Sequence, residues 1–257
     1  MYSGTHPPAD RAGNKIARNN CKKPMNYHRF FYFVLPLKHN IDIIFLMFKG
    51  LLDLIYKNKC LVCSCSKTDD LLCKTCSKDV DFMSGFPHRI YNSVSVYSAV
   101  IYNKTPKKLI RLLKFSHKKS ASKVLARFLY DYFKKLDLNK DFIVIYPDSF
   151  LLKNLFRGYE HMYLIANEFC NLSGFNLLKN AIKKIKYTTP QYKAKNRKNN
   201  IKGAFEINKK YINLLKEKPI LLIDDIITTG ATIEEITDIL KKENINDVTV
   251  LTVSKAK

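Results

Sequence analysis

Residues 220–232 read ILLIDDIITTGAT, an apolar run that passes through two aspartates into a segment rich in threonine and glycine. The apolar run is typical of a parallel strand that is buried on both faces. The sequence that follows, TIEEITDILKKENI, predicts a helix whose early acids and late lysines match the helix dipole. A strand, a short loop and a helix in this order predict one βα unit of an α/β protein.

The rest of the chain repeats this alternation of short apolar runs and helical patterns. The run FIVIYP is ended by proline, and DVTVLTV is rich in β-branched residues. Further strands are predicted at 93–102, 142–147, around 177–182 and at 247–253, and further helices at 41–57, 106–136 and 159–172. This order predicts βαβ units and an α/β fold with a mostly parallel sheet.

The residue types of the segment 220–232 are those expected of a binding site for a sugar phosphate. Backbone N–H groups at a helix N-terminus attract phosphate, threonine hydroxyls add donors, and Gly230 allows a close backbone approach. The adjacent carboxylates of Asp224 and Asp225 can accept hydrogen bonds from a vicinal diol or approach a phosphate-bound Mg²⁺. Ligands of open α/β sheets bind beyond the carboxyl ends of the strands, where this segment is expected to lie. The alternative is an ordinary strand–turn–helix with a threonine N-cap.

Four of the seven cysteines form two Cys-x2-Cys pairs. Nine residues separate the pair Cys60 and Cys63 from the pair Cys73 and Cys76. Two such pairs can supply four thiolates to a tetrahedral zinc ion, and four thiolates leave no open position, so the predicted site is structural. Cys65 is a spare thiol that can replace Cys63 in a second arrangement. The alternative is a set of scattered buried or redox-active cysteines.

The composition excludes some classes of protein. The 257 residues are 46% hydrophobic and 26% charged, which suits a sizeable core and excludes a disordered or collagen-like chain.

The N-terminal apolar region is not long enough to span a membrane. Its longest uncharged run is 30–37, which is shorter than a membrane span requires. A signal peptide is the alternative for this region, but no small-residue cleavage site follows at a suitable distance. Together with the clustered cysteines, this predicts a cytoplasmic protein without stable membrane insertion.

The excess of basic over acidic residues favours polyanionic partners. Lys and Arg number 45 against 22 Asp and Glu, which gives a formal net charge of +23. Residues 103–135 hold 11 basic side chains and one acid, and residues 176–218 hold 13 and two. Aromatic residues interleave with these charges: Phe115, Phe128, Tyr187, Tyr192 and Phe205. Basic grooves with stacking aromatics suit single-stranded nucleic acid. The alternatives are a lysine-rich codon bias and solvated faces whose aromatics lie in the core.

The segment ILLIDDIITTGATI resembles the phosphoribosyl-pyrophosphate (PRPP) loop of type I phosphoribosyltransferases. The resemblance implies that the two adjacent acids hold the ribose hydroxyls and that the threonine and glycine loop holds the 5-phosphate, with Mg²⁺ accompanying PRPP. The acids are also the best candidates for catalytic residues. The PRPP-binding residues that it implies are Asp224, Asp225, Ile226, Ile227, Thr228, Thr229, Gly230, Ala231 and Thr232.

Two cysteine pairs ahead of such a domain resemble the ComF family, of the ComFC type, from about Phe48 to Val253. The stretch FRGYEHMYLIANEF is similar to the family's R-G-F-N-Q-x-x-x-L-A pattern. The stretch TTPQYKAKNRKNNIKGAFEI is similar to its T-x-P-Q…R-x-x-N-x-x-G-A-F pattern. Two departures stand out. Glu160 and His161 replace the Asn-Gln of the first pattern, and Asp148 lies where apolar or basic character is expected.

The resemblance also implies a domain organisation and a function. The domains are an extension at 1–46, a helix with a zinc-ribbon-like lobe at 47–92, and a phosphoribosyltransferase-like domain at 93–257. The implied protein handles single-stranded DNA during natural transformation, binds PRPP or a related nucleotide, and has DNA-processing proteins as partners. The alternatives are an active phosphoribosyltransferase that transfers ribose 5-phosphate to a base, and a binding module alone.

Two arginines stand apart from the lysine runs. Arg157 and Arg197 are predicted to contact pyrophosphate or DNA phosphate, because the guanidinium group binds phosphate with two parallel hydrogen bonds. The alternative for each is a structural salt bridge.

Overall fold

The computed structural model describes residues 59–65, 70–91, 93–148, 158–186 and 201–256. These residues belong to one compact unit, Ile55–Lys257. Several predicted features lie outside the described residues: the extension at 1–46, the helix at 41–57, Arg157, Arg197, Tyr187 and Tyr192. No helix within the described ranges is long and apolar enough to span a membrane.

Helices and strands alternate along most of the described chain. In chain order the elements are α1 (Lys74–Lys78), β1 (Arg89–Tyr91), β2 (Val94–Ile101), α2 (Lys104–Phe115), α3 (Ala121–Phe133), β3 (Ile143–Ile145), α4 (His161–Ser173), β4 (Asn176–Leu177), β5 (Ile182–Lys184), β6 (Phe205–Ile207), a 3-10 turn (Lys209–Tyr211), α5 (Ile212–Glu217), β7 (Ile220–Ile227), α6 (Ala231–Lys242) and β8 (Val248–Lys255).

Six strands form one sheet in the order β1-β2-β8-β7-β3-β4. Strand β1 pairs antiparallel with β2, and the other pairings are parallel. In the middle of the sheet, Leu222 of β7 lies opposite Ile145 of β3 on one side and Val250 of β8 on the other. Two parallel strands need a crossover connection between them. Helix α4 connects β3 to β4 in this way, and α6 connects β7 to β8. The predicted α/β class with a mostly parallel sheet is confirmed.

The two faces of the sheet are covered by different helices. Alternate residues of a strand point to opposite faces, so β7 contributes Leu221 and Ile223 to one core and Ile220 and Leu222 to the other. Helices α2, α3 and α4 complete the first core, and α5, α6 and the β5–β6 pair complete the second. Burial on both faces explains why β7 is apolar without alternation up to its acidic pair.

Two predicted elements are each divided in the structure. The helical region predicted at 106–136 is two helices, because α2 ends at Phe115 and His117 has a left-handed φ of 54° before α3 begins. The strand predicted around 177–182 is the short β4 and the separate β5, with Asn180 at a φ of 56° between them. A left-handed residue interrupts both helical and extended hydrogen bonding. As a result β5 leaves the main sheet and pairs antiparallel with β6.

Candidate functional site

The acidic pair of the ILLIDDIITTGAT segment lies near the carboxyl end of β7. The strand continues past the acids to Ile227, which pairs with Lys255 of β8. Because neighbouring residues of a strand point to opposite faces, Asp224 and Asp225 lie on different sides of the sheet. Asp225 is buried, whereas Asp224 is half-buried.

The loop after β7 is short and turns directly into α6. Gly230 is the N-cap of α6 and has a φ of 82°, a conformation that residues with a side chain rarely adopt. A small pocket at this point is lined by Asp224, Ile226, Ile227, Thr228, Gly230, Ala231, Thr232 and Ile233. The pocket therefore joins one carboxylate to the N-terminus of a helix, where backbone N–H groups favour an anion.

Asp225 is held by side chains from two different helices. Lys114 of α2 forms an ion pair with Asp225 Oδ2. His161 of α4 forms a hydrogen bond with the same oxygen through Nε2, at 3.0 Å. The side chains of Asp225 and His161 are 9% and 11% exposed, so this cluster is largely removed from water. These contacts connect α2 and α4 to the centre of the sheet.

The two carboxyl groups titrate differently. Burial alone would raise the pKa of Asp225, but the Lys114 charge and the His161 hydrogen bond outweigh it and lower that pKa well below its usual range. Burial and then the adjacent Asp225 charge raise the pKa of Asp224 to about 7. The Asp225 N–H donates to Asp224 Oδ1 at 2.8 Å, which acts in the opposite direction. Asp225 is therefore ionised at neutral pH, whereas Asp224 changes between its protonated and ionised forms near neutral pH.

The sequence does not single out the two partners of Asp225. Lys114 is one of 11 basic residues in 103–135, and His161 has the position of an ordinary helix histidine. One feature of the sequence does point to His161. It replaces a glutamine of the family pattern, and both side chains can donate a hydrogen bond, so a donor at position 161 could have been expected.

A second acidic group follows β3, at the same edge of the sheet. The Asp148 N–H donates to Ile182 O at 3.0 Å, and Tyr146 donates its hydroxyl to Glu160 Oε2 at 3.3 Å. Burial and then the Glu160 charge raise the pKa of Asp148 to about 7, and Lys183 acts in the opposite direction. The departure from the family pattern at Asp148 thus places a carboxyl group that titrates near neutrality.

The sulfur atoms of Cys60, Cys63, Cys73 and Cys76 lie within 4.8 Å of one another. A tetrahedral zinc ion with Zn–S distances of about 2.3 Å separates its sulfur ligands by about 3.8 Å, so this group can bind such an ion. Cys63 is exposed and the other three are buried. Cys65 is exposed and lies outside the group, so the arrangement in the structure uses Cys63 rather than Cys65.

Backbone contacts shape both cysteine pairs. The Cys60 N–H donates to Cys65 O at 2.9 Å, and the Ser64 N–H donates to Cys60 O at 2.8 Å, which closes a tight turn. Cys73 is the N-cap of α1, and the Cys76 N–H donates to Cys73 Sγ at 3.5 Å. Burial raises the pKa of the Cys60 thiol, but backbone hydrogen bonds outweigh it and lower that pKa to about 6. N–H groups directed at sulfur favour the thiolate form that binds metal.

The four-cysteine lobe packs on the first core. Thr105 of α2 donates its hydroxyl to Cys76 O at 3.0 Å. The Met83 N–H then donates to Ala99 O at 2.9 Å, as the chain runs back along β2. Apolar neighbours of the cysteines contact the first core: Leu61, Val62, Leu71 and Leu72. A metal ion in the lobe would therefore stabilise a part of the protein that covers this core.

The basic residues of 103–135 lie mostly on the exposed side of α2, α3 and the turn between them. The exposed ones are Lys104, Lys107, Lys108, Arg111, Lys118, Lys119, Lys123, Arg127, Lys134 and Lys135. Phe115 is 72% exposed beside them, whereas Phe128 and Phe205 are buried in the cores. Of the aromatic residues predicted to stack on bases, Phe115 is thus the described one that lies on the surface.

These features define an α/β protein with a pocket at the carboxyl edge of its sheet and a cysteine cluster that can bind a metal such as zinc. The chain is similar to Competence protein F of Haemophilus influenzae, with 29% identity over 156 residues. The match covers 58% of this chain and 67% of that protein. No family model matches the chain. The similarity supports membership of the ComF family, which the motifs indicated.

Proposed function

We propose that this chain has a competence-related role of the ComF type. In this role it handles single-stranded DNA during natural transformation, together with DNA-processing proteins, and binds PRPP or a related ribose phosphate. The pocket that joins Asp224 to the loop Thr228–Thr232 carries the ribose-phosphate part of the proposal. The similarity to a competence protein supports the biological role. A cytoplasmic location belongs to the proposal, because clustered thiols and metal thiolates persist in a reducing compartment.

The groups around the pocket complement the two ends of a ribose 5-phosphate. Backbone N–H groups of the first turn of α6 and the loop threonines would donate to the 5-phosphate. The Asp224 carboxylate would accept from a ribose hydroxyl or approach the Mg²⁺ that accompanies PRPP. Arg157 and Arg197 are proposed contacts for the pyrophosphate or for DNA phosphates.

Calorimetric titration with PRPP and Mg²⁺ tests the ribose-phosphate site. We expect saturable binding to the wild type and an affinity at least about 30-fold lower for Asp224→Asn, which loses the charge of its hydrogen-bond acceptor. Asp137→Asn is the matched control. Asp137 is exposed, and it lies on the loop that enters β3, at the amino edge of the sheet.

The outcomes separate the alternatives. Unchanged binding by Asp224→Asn would place PRPP away from the pocket, and no binding by the wild type would remove the PRPP part of the proposal. If PRPP binds, release of pyrophosphate on addition of purine or pyrimidine bases would identify an active phosphoribosyltransferase. Binding without release would identify a nucleotide-binding protein.

The basic turn between α2 and α3 is the proposed contact for single-stranded DNA. Lys118 and Lys119 are exposed there, and Phe115 offers an open aromatic face. Cations neutralise the phosphates and release counterions, while an exposed ring stacks on a base without sequence preference.

The double variant Lys118→Ala/Lys119→Ala is expected to bind an oligothymidylate more weakly and with a smaller salt dependence. Two lost phosphate contacts should reduce the slope of log K against log salt by about 1.4. The control is Lys241→Ala/Lys242→Ala, an exposed pair on α6 outside both basic regions. An equal loss in both double variants would show that net charge alone, rather than this turn, binds DNA.

A further inference from the structure

We infer that one face of α3 extends the proposed contact for single-stranded DNA from the basic turn to a second aromatic anchor at Phe82 and Phe86. The face carries the basic row of α3, which consists of Lys123, Arg127 and Lys134. The inference rests on the proposed function, in which the turn between α2 and α3 binds DNA. It adds the length of the binding site and its far end.

The first observation is the position of the basic row on the helix. Its members are four and seven residues apart and Tyr130 lies between the last two, so the four side chains share one side of α3. The three cations are exposed, and Tyr130 is half-buried. Leu125, on the opposite side of the helix, is fully buried in the first core. The basic row is therefore on the side of α3 that a polyanion can reach.

One acid lies within the basic row. Asp131 forms an ion pair with Arg127 at 3.0 Å and another with Lys134 at 3.7 Å. Both cations are exposed, so each pair contributes at most about 1 kcal/mol, and a DNA phosphate can replace the carboxylate. Because two cations share this single carboxylate, the row keeps a positive charge.

The second anchor lies on a segment that packs beside α3. Tyr132 donates its hydroxyl to Ser84 O at 2.5 Å, which holds this segment against the helix. Phe86 is 78% exposed and Phe82 is 41% exposed. Lys135 Nζ lies 5.2 Å from the centre of the Phe82 ring. Exposed rings next to a cation suit stacked bases and their phosphates.

The length of α3 sets the length of the binding site. Phe115 precedes the helix, and the segment of Phe86 is bonded to its last turn through Tyr132. The 13 residues of α3 give a length of about 20 Å. At about 3.4 Å per nucleotide, a stacked strand covers this length with about six nucleotides, and an extended strand covers it with fewer. A site of this size is typical of proteins that bind single strands.

The combination of cations and exposed rings favours a single strand over other polyanions. A duplex offers phosphates to the basic row, but its bases are paired and stacked, so Phe115 and Phe86 do not reach their faces. An acidic peptide would pair with the cations and leave both rings without a stacking partner. A single strand supplies both phosphates and open base faces.

The Asp131→Asn variant tests the basic row through a gain in affinity, which a damaged fold does not produce. The variant releases Arg127 and Lys134 for contact with phosphate. We expect its affinity for an oligothymidylate of about 12 nucleotides to rise about two- to fivefold, as measured by fluorescence anisotropy.

Asp247→Asn is the matched control for this gain. Asp247 forms a surface ion pair with Lys140 at 2.6 Å, so its replacement also releases a lysine and raises the net charge equally. It lies outside the basic row, and the variant should bind the oligonucleotide like the wild type. An equal gain in both variants, or no gain in Asp131→Asn, would overturn the role of the basic row.

The Phe86→Ala variant tests the second anchor. Its side chain lies on the surface, so the melting temperature should not change. We expect at least about fivefold weaker binding of the same oligonucleotide, because one stacked base loses its partner. A strand of about three nucleotides is too short to reach both anchors, and its affinity should change by about twofold at most, because it can bind at the turn.

Leu214→Ala is the control for the loss of an exposed apolar side chain, and it should bind both strands like the wild type. Wild-type affinity of Phe86→Ala for the longer strand would overturn the second anchor. Equally weak binding of the longer strand by Leu214→Ala would do so as well, because the loss would then not depend on this segment.

The remaining outcomes separate this inference from the proposed function. If Asp131→Asn and Phe86→Ala bind like the wild type while the double variant of the basic turn binds weakly, DNA contacts the turn alone. That result would overturn the inference and leave the proposed DNA contact intact, whereas no binding by the wild type would overturn both. Equal competition by a duplex or by polyglutamate would also overturn the inference, since open bases would then not be recognised.

Discussion

The Cys60→Ser variant is expected to purify without zinc and to unfold at a clearly lower temperature than the wild type. The wild type should carry about one zinc ion per chain, since four thiolates complete a tetrahedral site. Cys60 is buried, and its sulfur lies in the group with Cys63, Cys73 and Cys76. Serine is a poor ligand for zinc in this environment, so three thiolates would remain without the fourth.

The cost of metal loss follows from the position of the lobe. The lobe has few apolar side chains of its own, and these cover part of the first core. Metal-binding free energy is folding free energy in such a small unit, so we expect a loss on the order of 3–5 kcal/mol in the free energy of unfolding. Thermal unfolding followed by circular dichroism and zinc analysis by atomic emission would measure the two effects together.

Cys65→Ser is the matched control for this prediction. Cys65 is an exposed thiol two residues beyond Cys63, and its sulfur lies outside the group. The variant should keep both its zinc and its melting temperature. Zinc loss in Cys65→Ser but not in Cys63→Ser would show that the second arrangement is the true one. Full zinc retention in Cys60→Ser would contradict the four-thiolate site.

Much of the fold could be predicted because its signals are local. The strands β3, β7 and β8 are short apolar runs bounded by polar or proline residues, and a strand buried on both faces needs no alternation to be recognised. The paired cysteines and the segment 224–232 are equally local, because each depends on residue types at fixed spacing. The structure brings the four paired cysteines together in a group that can bind a metal ion. The ribose-phosphate site at 224–232 stays a prediction.

The partners of the acidic pair could not be predicted because they depend on tertiary packing. Nothing in the local sequence distinguishes Lys114 from the exposed lysines around it. It reaches Asp225 because the folded chain brings the end of α2 next to the acidic pair, and this contact joins residues that are 111 positions apart in the sequence. The different surroundings of Asp224 and Asp225 likewise follow from the alternation of β7 between two covered faces.

Asp148 leads to a prediction on stability at neutral pH. Its Oδ1 atom is buried, and the described residues offer it no hydrogen-bond partner. Burial and then the Glu160 charge raise its pKa to about 7. A folded-state pKa above the unfolded value means that the folded protein binds the proton more tightly. The contribution of Asp148 to the free energy of unfolding of the wild type should therefore decrease as the pH rises from about 4 to about 7.

The Asp148→Asn variant removes this dependence and is expected to be more stable than the wild type at pH 8. A shift of about 3 pKa units corresponds to at most about 4 kcal/mol, and partial exposure reduces it, so we expect a gain of about 2–3 kcal/mol. At about pH 3 the wild-type carboxyl is protonated in both the folded and the unfolded state, and the stabilities of the two proteins should be nearly equal. Urea unfolding at both pH values would measure the difference.

Asp141→Asn provides the control at the other end of β3. Asp141 is exposed and pairs with Lys218 at the surface, at 2.5 Å, and such a pair contributes at most about 1 kcal/mol. Its replacement should change stability little at either pH. If Asp148→Asn instead destabilised the protein at pH 8, the carboxylate would have a stabilising partner in the folded state. Asp148 would then be ionised at neutral pH and carry a negative charge at the edge of the proposed PRPP site.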